Sequence, residues 1–114
     1  MKIKPESFIG QKVQIEFDRP LGSVHPEHEH IWFCLNYGFV PGIISGDGDD
    51  LDAYLLGVYE PVKNYTGKCI AIIRRNDEDD DKSIIVPEGV DYTDKQIIAL
   101  TEFIERFHDS YVIR

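Results

Sequence analysis

Residues 45–52 read Ser-Gly-Asp-Gly-Asp-Asp-Leu-Asp, and four carboxylates within six positions keep this stretch out of any apolar core. Like charges this close repel one another and raise each other's pKa unless water or a bound cation screens them. The segment is therefore a solvated turn or a metal site, and we read it as a metal site. Asp47, Gly48 and Asp49 would place two carboxylates on one side of an extended loop, with Asp52 three residues on and Leu51 able to turn inward. Gly46 and Gly48 permit backbone angles closed to other residues, so the loop can fold its oxygens toward one point. Magnesium suits such a point, because it takes a few carboxylates, keeps several waters and accepts substrate phosphates. An EF-hand does not fit. Counting from Asp47, the twelfth position is Val58 rather than Glu, and the sixth is Asp52 rather than Gly.

The rest of the chain sets the frame for that loop. At 114 residues, residues 1–114 read as a single domain with a modest core. A composition of 42% hydrophobic and 29% charged residues fits an ordinary globular protein. The net charge of -9 opposes binding to nucleic acid or to an anionic membrane surface, so neither is expected as a partner. A phosphate site here would need local Lys and Arg or bound divalent cations to reverse the potential. The N-terminal Met-Lys-Ile-Lys-Pro-Glu-Ser-Phe lacks the apolar run of a signal peptide, and a cytoplasmic location is expected. Cys34 and Cys69 form no CxxC and read as buried thiols rather than a disulfide.

Residues 12–18 alternate, with Val13, Ile15 and Phe17 on one face and Gln14, Glu16 and Asp18 on the other, as in a half-buried strand. A turn at residues 19–23 leads to a second strand near residues 31–35, in which Trp32 reads as a core aromatic. Further strands are expected at residues 53–59, 68–74 and 83–86. Ile97, Ile98, Leu100, Phe103, Ile104 and Phe107 recur at three- and four-residue spacing, which predicts an amphipathic helix. Thr93 and Gln96 can form its capping box. Short strands with one terminal helix point to a mainly β fold, a small barrel or strongly bent sheet closed by that helix.

A second acidic loop, Asn-Asp-Glu-Asp-Asp-Asp-Lys over residues 76–82, places Lys82 two residues after Asp80. Alone such a loop is commonly solvated. Joined to the first, it could complete a multi-metal site that Lys82 faces as a point charge for phosphate.

The run Asp47-Gly48-Asp49-Asp50-Leu51-Asp52-Ala53, preceded by Asn36-Tyr37-Gly38-Phe39, resembles the signature of the family I soluble inorganic pyrophosphatases. Asp50 departs from that signature, which has Pro or Glu there. The resemblance implies an OB-like five-stranded β-barrel and magnesium-dependent hydrolysis of diphosphate to two phosphates. It implies Asp47, Asp52, Asp77 and Asp80 as metal ligands and Asp49 as the general base beside the attacking water. Tyr37 and Lys82 would hold phosphate oxygens, and Glu16 would be an acidic residue of the substrate pocket. A homo-oligomer is implied as well. Gln14, His25, Phe33, Phe107 and His108 stand where the family has cations or tyrosines, and no counterpart of its N-terminal extension is expected. Arg19, Arg74 or Arg75 could make up the lost charge, and Arg19 is taken here as substrate-binding.

Two other readings stand beside this one. His25, His28, His30 and Cys34 fall within ten positions and carry zinc-ligand chemistry, although their spacing matches no standard finger. The lost cations also suit a diverged homologue that binds magnesium and a phosphate metabolite without turnover, or one that acts on a larger diphosphate compound.

Overall fold

A computed structural model describes residues 4–114, and part of the N-terminal reading, on Met1, Lys2 and Ile3, lies outside the described residues. After a 3-10 turn at Pro5–Phe8, the chain forms strands β1 (Lys12–Arg19), β2 (Asn36–Ile44), β3 (Asp50–Leu55), β4 (Asn64–Arg75) and β5 (Lys82–Val86), helix α1 (Asp94–Glu105) and strand β6 (Ser110–Ile113). The strands neighbour one another in the order β1-β2-β3-β5-β4, and β4 pairs back onto β1 to close a five-stranded barrel. One edge of β4 is divided between two partners. Residues 64–68 close the barrel against β1, and residues 72–75 pair with β6.

Alternation along the strands explains the two cores. Val13, Ile15, Phe17, Val40, Leu51, Ala53, Leu55, Cys69, Ile72 and Ile85 come from all five barrel strands and fill the interior. The opposite faces supply Tyr37, Tyr54, Ile73, Ile84 and Val86, and this second cluster is covered by Ile97, Leu100, Phe103 and Ile104 of α1. Each fully buried aliphatic side chain contributes about 1.5–3 kcal/mol relative to exposure. The helix is therefore a lid on the outer face of the barrel.

Helix α1 begins as its sequence predicts. The Thr93 hydroxyl accepts from the Gln96 N–H, and the Gln96 side chain accepts from the Thr93 N–H, so two otherwise orphaned donors are satisfied. At the start of β2, Asn36 is fully buried and ties three segments together. Its Oδ1 accepts from the Leu21 and Val62 N–H groups and its Nδ2 donates to the Glu60 carbonyl. Gly38 follows where β1 crosses β2 closely. A Cβ there would fall 1.9 Å from the Glu16 carbonyl oxygen.

Several expectations are corrected. The second strand lies at Asn36–Ile44 rather than near residues 31–35, where only an isolated bridge joins Trp32 to Val24. Trp32 is 62% exposed and so is no core aromatic. The third strand runs over Asp50–Leu55 rather than residues 53–59, because pairing with both β2 and β5 draws the acidic loop into the sheet. Strand β4 starts earlier than expected, at Asn64, and β6 was not anticipated. Both thiols are free, but Cys34 is exposed; only Cys69 is buried, and burial pushes its thiol up to about 11. No helix among the described residues is long and apolar enough to cross a membrane.

Candidate active site

The outward face of the barrel carries Tyr37 on β2, Asp52 on β3 and Lys82 at the start of β5. Parallel pairing sets Asp52 directly beside Lys82. The two acidic loops meet next to them, since a Cβ on Gly46 would lie 2.0 Å from Asp79 Oδ1. Gly48 adopts φ +90°, and the turn closes through Ser45 N–H to the Asp49 carbonyl at 2.8 Å.

These elements enclose a cavity of about 350 Å³ lined by Asp47, Asp49, Asp52, Asp80, Lys82, Tyr37 and Arg19. Asp18, His25, Phe33, Arg75, Ile104 and His108 complete its wall. Lys82 is almost wholly buried, and its ammonium donates to Asp52 Oδ2 at 2.5 Å and Asp80 Oδ2 at 2.7 Å. Asp47 Oδ1 accepts from the Ser45 hydroxyl at 2.5 Å and from the Asp49 N–H at 3.0 Å. Partial burial pushes the Asp47 carboxyl up, but those bonds outweigh it and hold the group below its usual range. Burial raises Asp80 to about 6 against the pull of Lys82, and its Oδ1 is enclosed with no hydrogen-bond partner. Burial also lifts the Tyr37 phenol well above its ordinary value although Lys82 pulls the other way, so it stays a proton donor. Among the described residues, the Asp49 carboxylate has no hydrogen-bond or ion-pair partner, unlike those of Asp47, Asp52 and Asp80.

Arg19 lies over the rings of Phe33 and Tyr37, 5.7 Å from each centroid, and makes no ion pair among the described residues. Arg75 also reaches the cavity, whereas Arg74 pairs with Glu6 and Asp81 on another face. A buried network holds Arg75. Its Nε and Nη2 donate to the two oxygens of Glu105 at 3.0 and 2.8 Å, and the Tyr54 hydroxyl donates to Glu105 Oε2 at 2.8 Å.

Two candidates from sequence lie apart from this lining. Glu16 is exposed on β1 and does not line the cavity. The pairing of β1 with β2 shifts register between Glu16 and Arg19, and Asp18 within the shift and Arg19 after it take the cavity positions. Asp77 sits at the rim, where its Oδ2 lies 3.0 Å from His108 Nδ1, and its own side chain lines an adjoining groove. Asp18, Tyr54 and Glu105 were not singled out from sequence; Arg75 was named only as one possible source of lost charge and His108 only as a departure from the family. Asp18 shares the polar face of β1 with Glu16, which was a usable signal; the Arg75–Glu105 pair spans 30 residues and left none.

The His25, His28 and His30 rings follow one another at 4.9 and 6.1 Å, and Cys34 Sγ contacts the Trp32 carbonyl. Among the described residues, no three His, Cys, Asp or Glu side chains are gathered as a metal cage, at these histidines or at the acidic loops. Open acidic pockets of that kind suit a hydrated hard cation better than zinc.

A family model described as inorganic pyrophosphatase matches residues 6–111 of this chain. The chain belongs to the inorganic pyrophosphatase family. It is 30% identical over 101 residues to the inorganic pyrophosphatase of Rickettsia felis, covering 82% of this chain and 58% of that protein. With the inorganic pyrophosphatase of Sulfolobus acidocaldarius it shares 29% identity over 90 residues, covering 75% of this chain and 52% of the other. The chain thus spans less than two thirds of the length of these pyrophosphatases. The fold agrees with solved family structures. The inorganic pyrophosphatase of Ehrlichia chaffeensis superposes with a TM-score of 0.70 at 15% identity, over 92% of this chain and 86% of that one. That of Neisseria gonorrhoeae gives 0.67 at 21% identity, over 86% and 74%.

Glu105 carries a pH dependence that stability measurements can read. Burial alone would raise its carboxyl, but the Arg75 bonds and the Tyr54 hydroxyl hold it below the ordinary value of 4.5. The charged form therefore stabilises the fold above that value, and the contribution fades as pH falls toward the lower folded value. Glu105→Gln is expected to cost about 3 kcal/mol at pH 7, since it removes one partner of a buried ion pair. Urea unfolding at pH 7 and pH 4 should then show a smaller loss on acidification in the variant than in the parent.

Proposed function

We propose that this chain hydrolyses inorganic diphosphate to two phosphates in a magnesium-dependent reaction, as a cytoplasmic enzyme assembled from identical subunits. The observation that carries this reading is the cavity where Asp47, Asp49 and Asp52 meet Asp80, Lys82 and Tyr37 in a chain of this family. The donor set fits magnesium, since its acids offer oxygen ligands and the enclosed Asp80 Oδ1 has no other partner. Asp47, Asp52 and Asp80 would hold the metal, with Asp77 at the rim beside a metal brought with the substrate. Bound magnesium would supply a lowered pKa for the attacking water and neutralise charge on the departing phosphate.

The residues of the chain divide the remaining work. Asp49, whose carboxylate is otherwise uncommitted, takes the proton from the water as its oxygen attacks phosphorus. The bridging P–O bond breaks, and the leaving phosphate keeps the electron pair. Lys82 and the Tyr37 hydroxyl donate to phosphate oxygens, and Arg19, on its aromatic platform, binds the outer phosphate. Phe33 and Ile104 supply the apolar part of the wall, which limits water around the reacting atoms.

Phosphate release from diphosphate, measured with and without magnesium beside Asp52→Ala, tests this directly. Release that needs magnesium and is lost in the variant is expected. A folded parent without release would leave the reading of a magnesium-binding homologue or one with a larger diphosphate substrate.

A further inference from the structure

We infer that Arg75 is a positioning residue for Asp80: pinned from behind by Glu105, it clamps one oxygen of the Asp80 carboxylate and so presents the other to a bound cation. This rests on the metal site proposed above and gives Arg75, read from sequence only as a possible source of lost charge, a role in holding a ligand.

The geometry is that of a fixed fork. Arg75 closes the C-terminal end of β4 and is 8% exposed. Nε and Nη2 grip both oxygens of Glu105, the last residue of α1, and the buried Tyr54 hydroxyl from β3 holds that carboxylate in turn. With that end fixed, Nη1 points into the loop at residues 76–81, where it donates to Glu78 and, at 3.3 Å, to Asp80 Oδ2. Lys82 Nζ donates to the same Asp80 Oδ2 at 2.7 Å. Two cations therefore share one oxygen, and Oδ1 is left enclosed with no donor on it, while the same side chain approaches the Asp47 carboxyl. A carboxylate held by cations at one oxygen and free of donors at the other is oriented before any ligand arrives, as groups behind a metal ligand commonly achieve.

The fork matters as much as the charge. A lysine at this position would keep the positive charge but could not grip both oxygens of Glu105 and reach Asp80 together. The arrangement also couples two distant parts of the chain. The C-terminal turn of α1 sets where Arg75 stands, and Arg75 sets where Asp80 points.

Mn2+ affinity, read by electron paramagnetic resonance on the metal-free protein without substrate, separates orientation from charge. Arg75→Gln removes a positive charge beside acidic residues, so electrostatics alone would tighten cation binding. Positioning predicts the opposite, a weakening of about 10- to 100-fold. Arg75→Lys should weaken binding too, and it keeps a charge in place should the Gln variant fail to fold. In an Asp80→Asn background either substitution should have little further effect, because the clamp acts through Asp80. Unchanged or tighter binding in folded variants would overturn the inference, as would an equal loss with Asp80 already removed. A parent that binds no Mn2+ would overturn the metal site itself, whereas a parent that binds it and loses it only on Asp80→Asn would overturn the role of Arg75 alone.

Discussion

Asp49→Asn is expected to lower phosphate release about 10²- to 10⁴-fold, the range set by removing a positioned general base, while Mn2+ affinity stays near that of the parent. The expectation follows from how the cavity acids are committed. Asp52 and Asp80 are held by Lys82, and Asp47 by Ser45 and the Asp49 backbone. Among the described residues, Asp49 lines the same cavity with its carboxylate unpaired. Asparagine keeps its size and leaves its backbone N–H bonded to Asp47, so the loop should retain its shape. Rates at saturating magnesium, measured beside Mn2+ affinity, decide the matter. A parallel fall in affinity would make Asp49 a ligand instead.

The largest effect on stability should come from Gly38→Ala. A single methyl at that position would sit 1.9 Å from the Glu16 carbonyl oxygen and 2.7 Å from Phe17 Cα. Both are backbone atoms of a neighbouring strand, so no side chain can swing aside. To admit the methyl, β1 and β2 would have to part beside Tyr37, between the interior core and the cavity. A loss of about 3 kcal/mol or more is expected, at the upper end of overpacking costs. Chemical denaturation would measure it, and the cavity should lose Tyr37 placement with it. A change below about 1 kcal/mol would mean the strands yield more easily than their contact indicates. Gly46→Ala is the instructive contrast, since its clash is with the Asp79 side chain.

Much of this architecture was readable where one physical signal dominated. The strict alternation of β1, the capping box at Thr93 and Gln96, and the helical spacing of Ile97, Leu100, Phe103 and Ile104 each stand in the structure as read, whereas Phe107 lies past the helix end and, like Ile98, is exposed. The errors arose where tertiary pairing outweighed local preference. Aspartate is unfavourable in strands, yet Asp50 and Asp52 lie in β3 because β2 and β5 pair with it on both sides. The run Ile31-Trp32-Phe33-Cys34-Leu35 looks like a strand, but Phe33 and Leu35 are buried through a loop while Trp32 and Cys34 face outward. Strand β6 has only four residues and exists because half of one β4 edge is left open by β1.

The site divides in the same way. Seven of its nine candidates line one cavity: six come from the two acidic loops and the strands that flank them, and Arg19 comes from the end of β1. Glu16 and Asp77 fall outside it, for reasons invisible in one dimension. A register shift follows Glu16 on β1, and Asp77 is drawn to His108 from beyond the helix. The partners of Arg75 likewise come from β3, α1 and the second acidic loop, and only folding brings them together.

The alternation along β3 and β5 also safeguards folding. Leu51, Ala53 and Leu55 point into the barrel, and Asp52 with its parallel partner Lys82 points out of it. A one-residue slip of β3 would exchange the two sets, sending Asp52 into the apolar interior while its neutralising lysine stayed outside. Mispaired barrels would thus carry an unpaired buried charge and be rejected during folding. Asp52, read here as a metal ligand, would thus also disfavour a slipped register of β3.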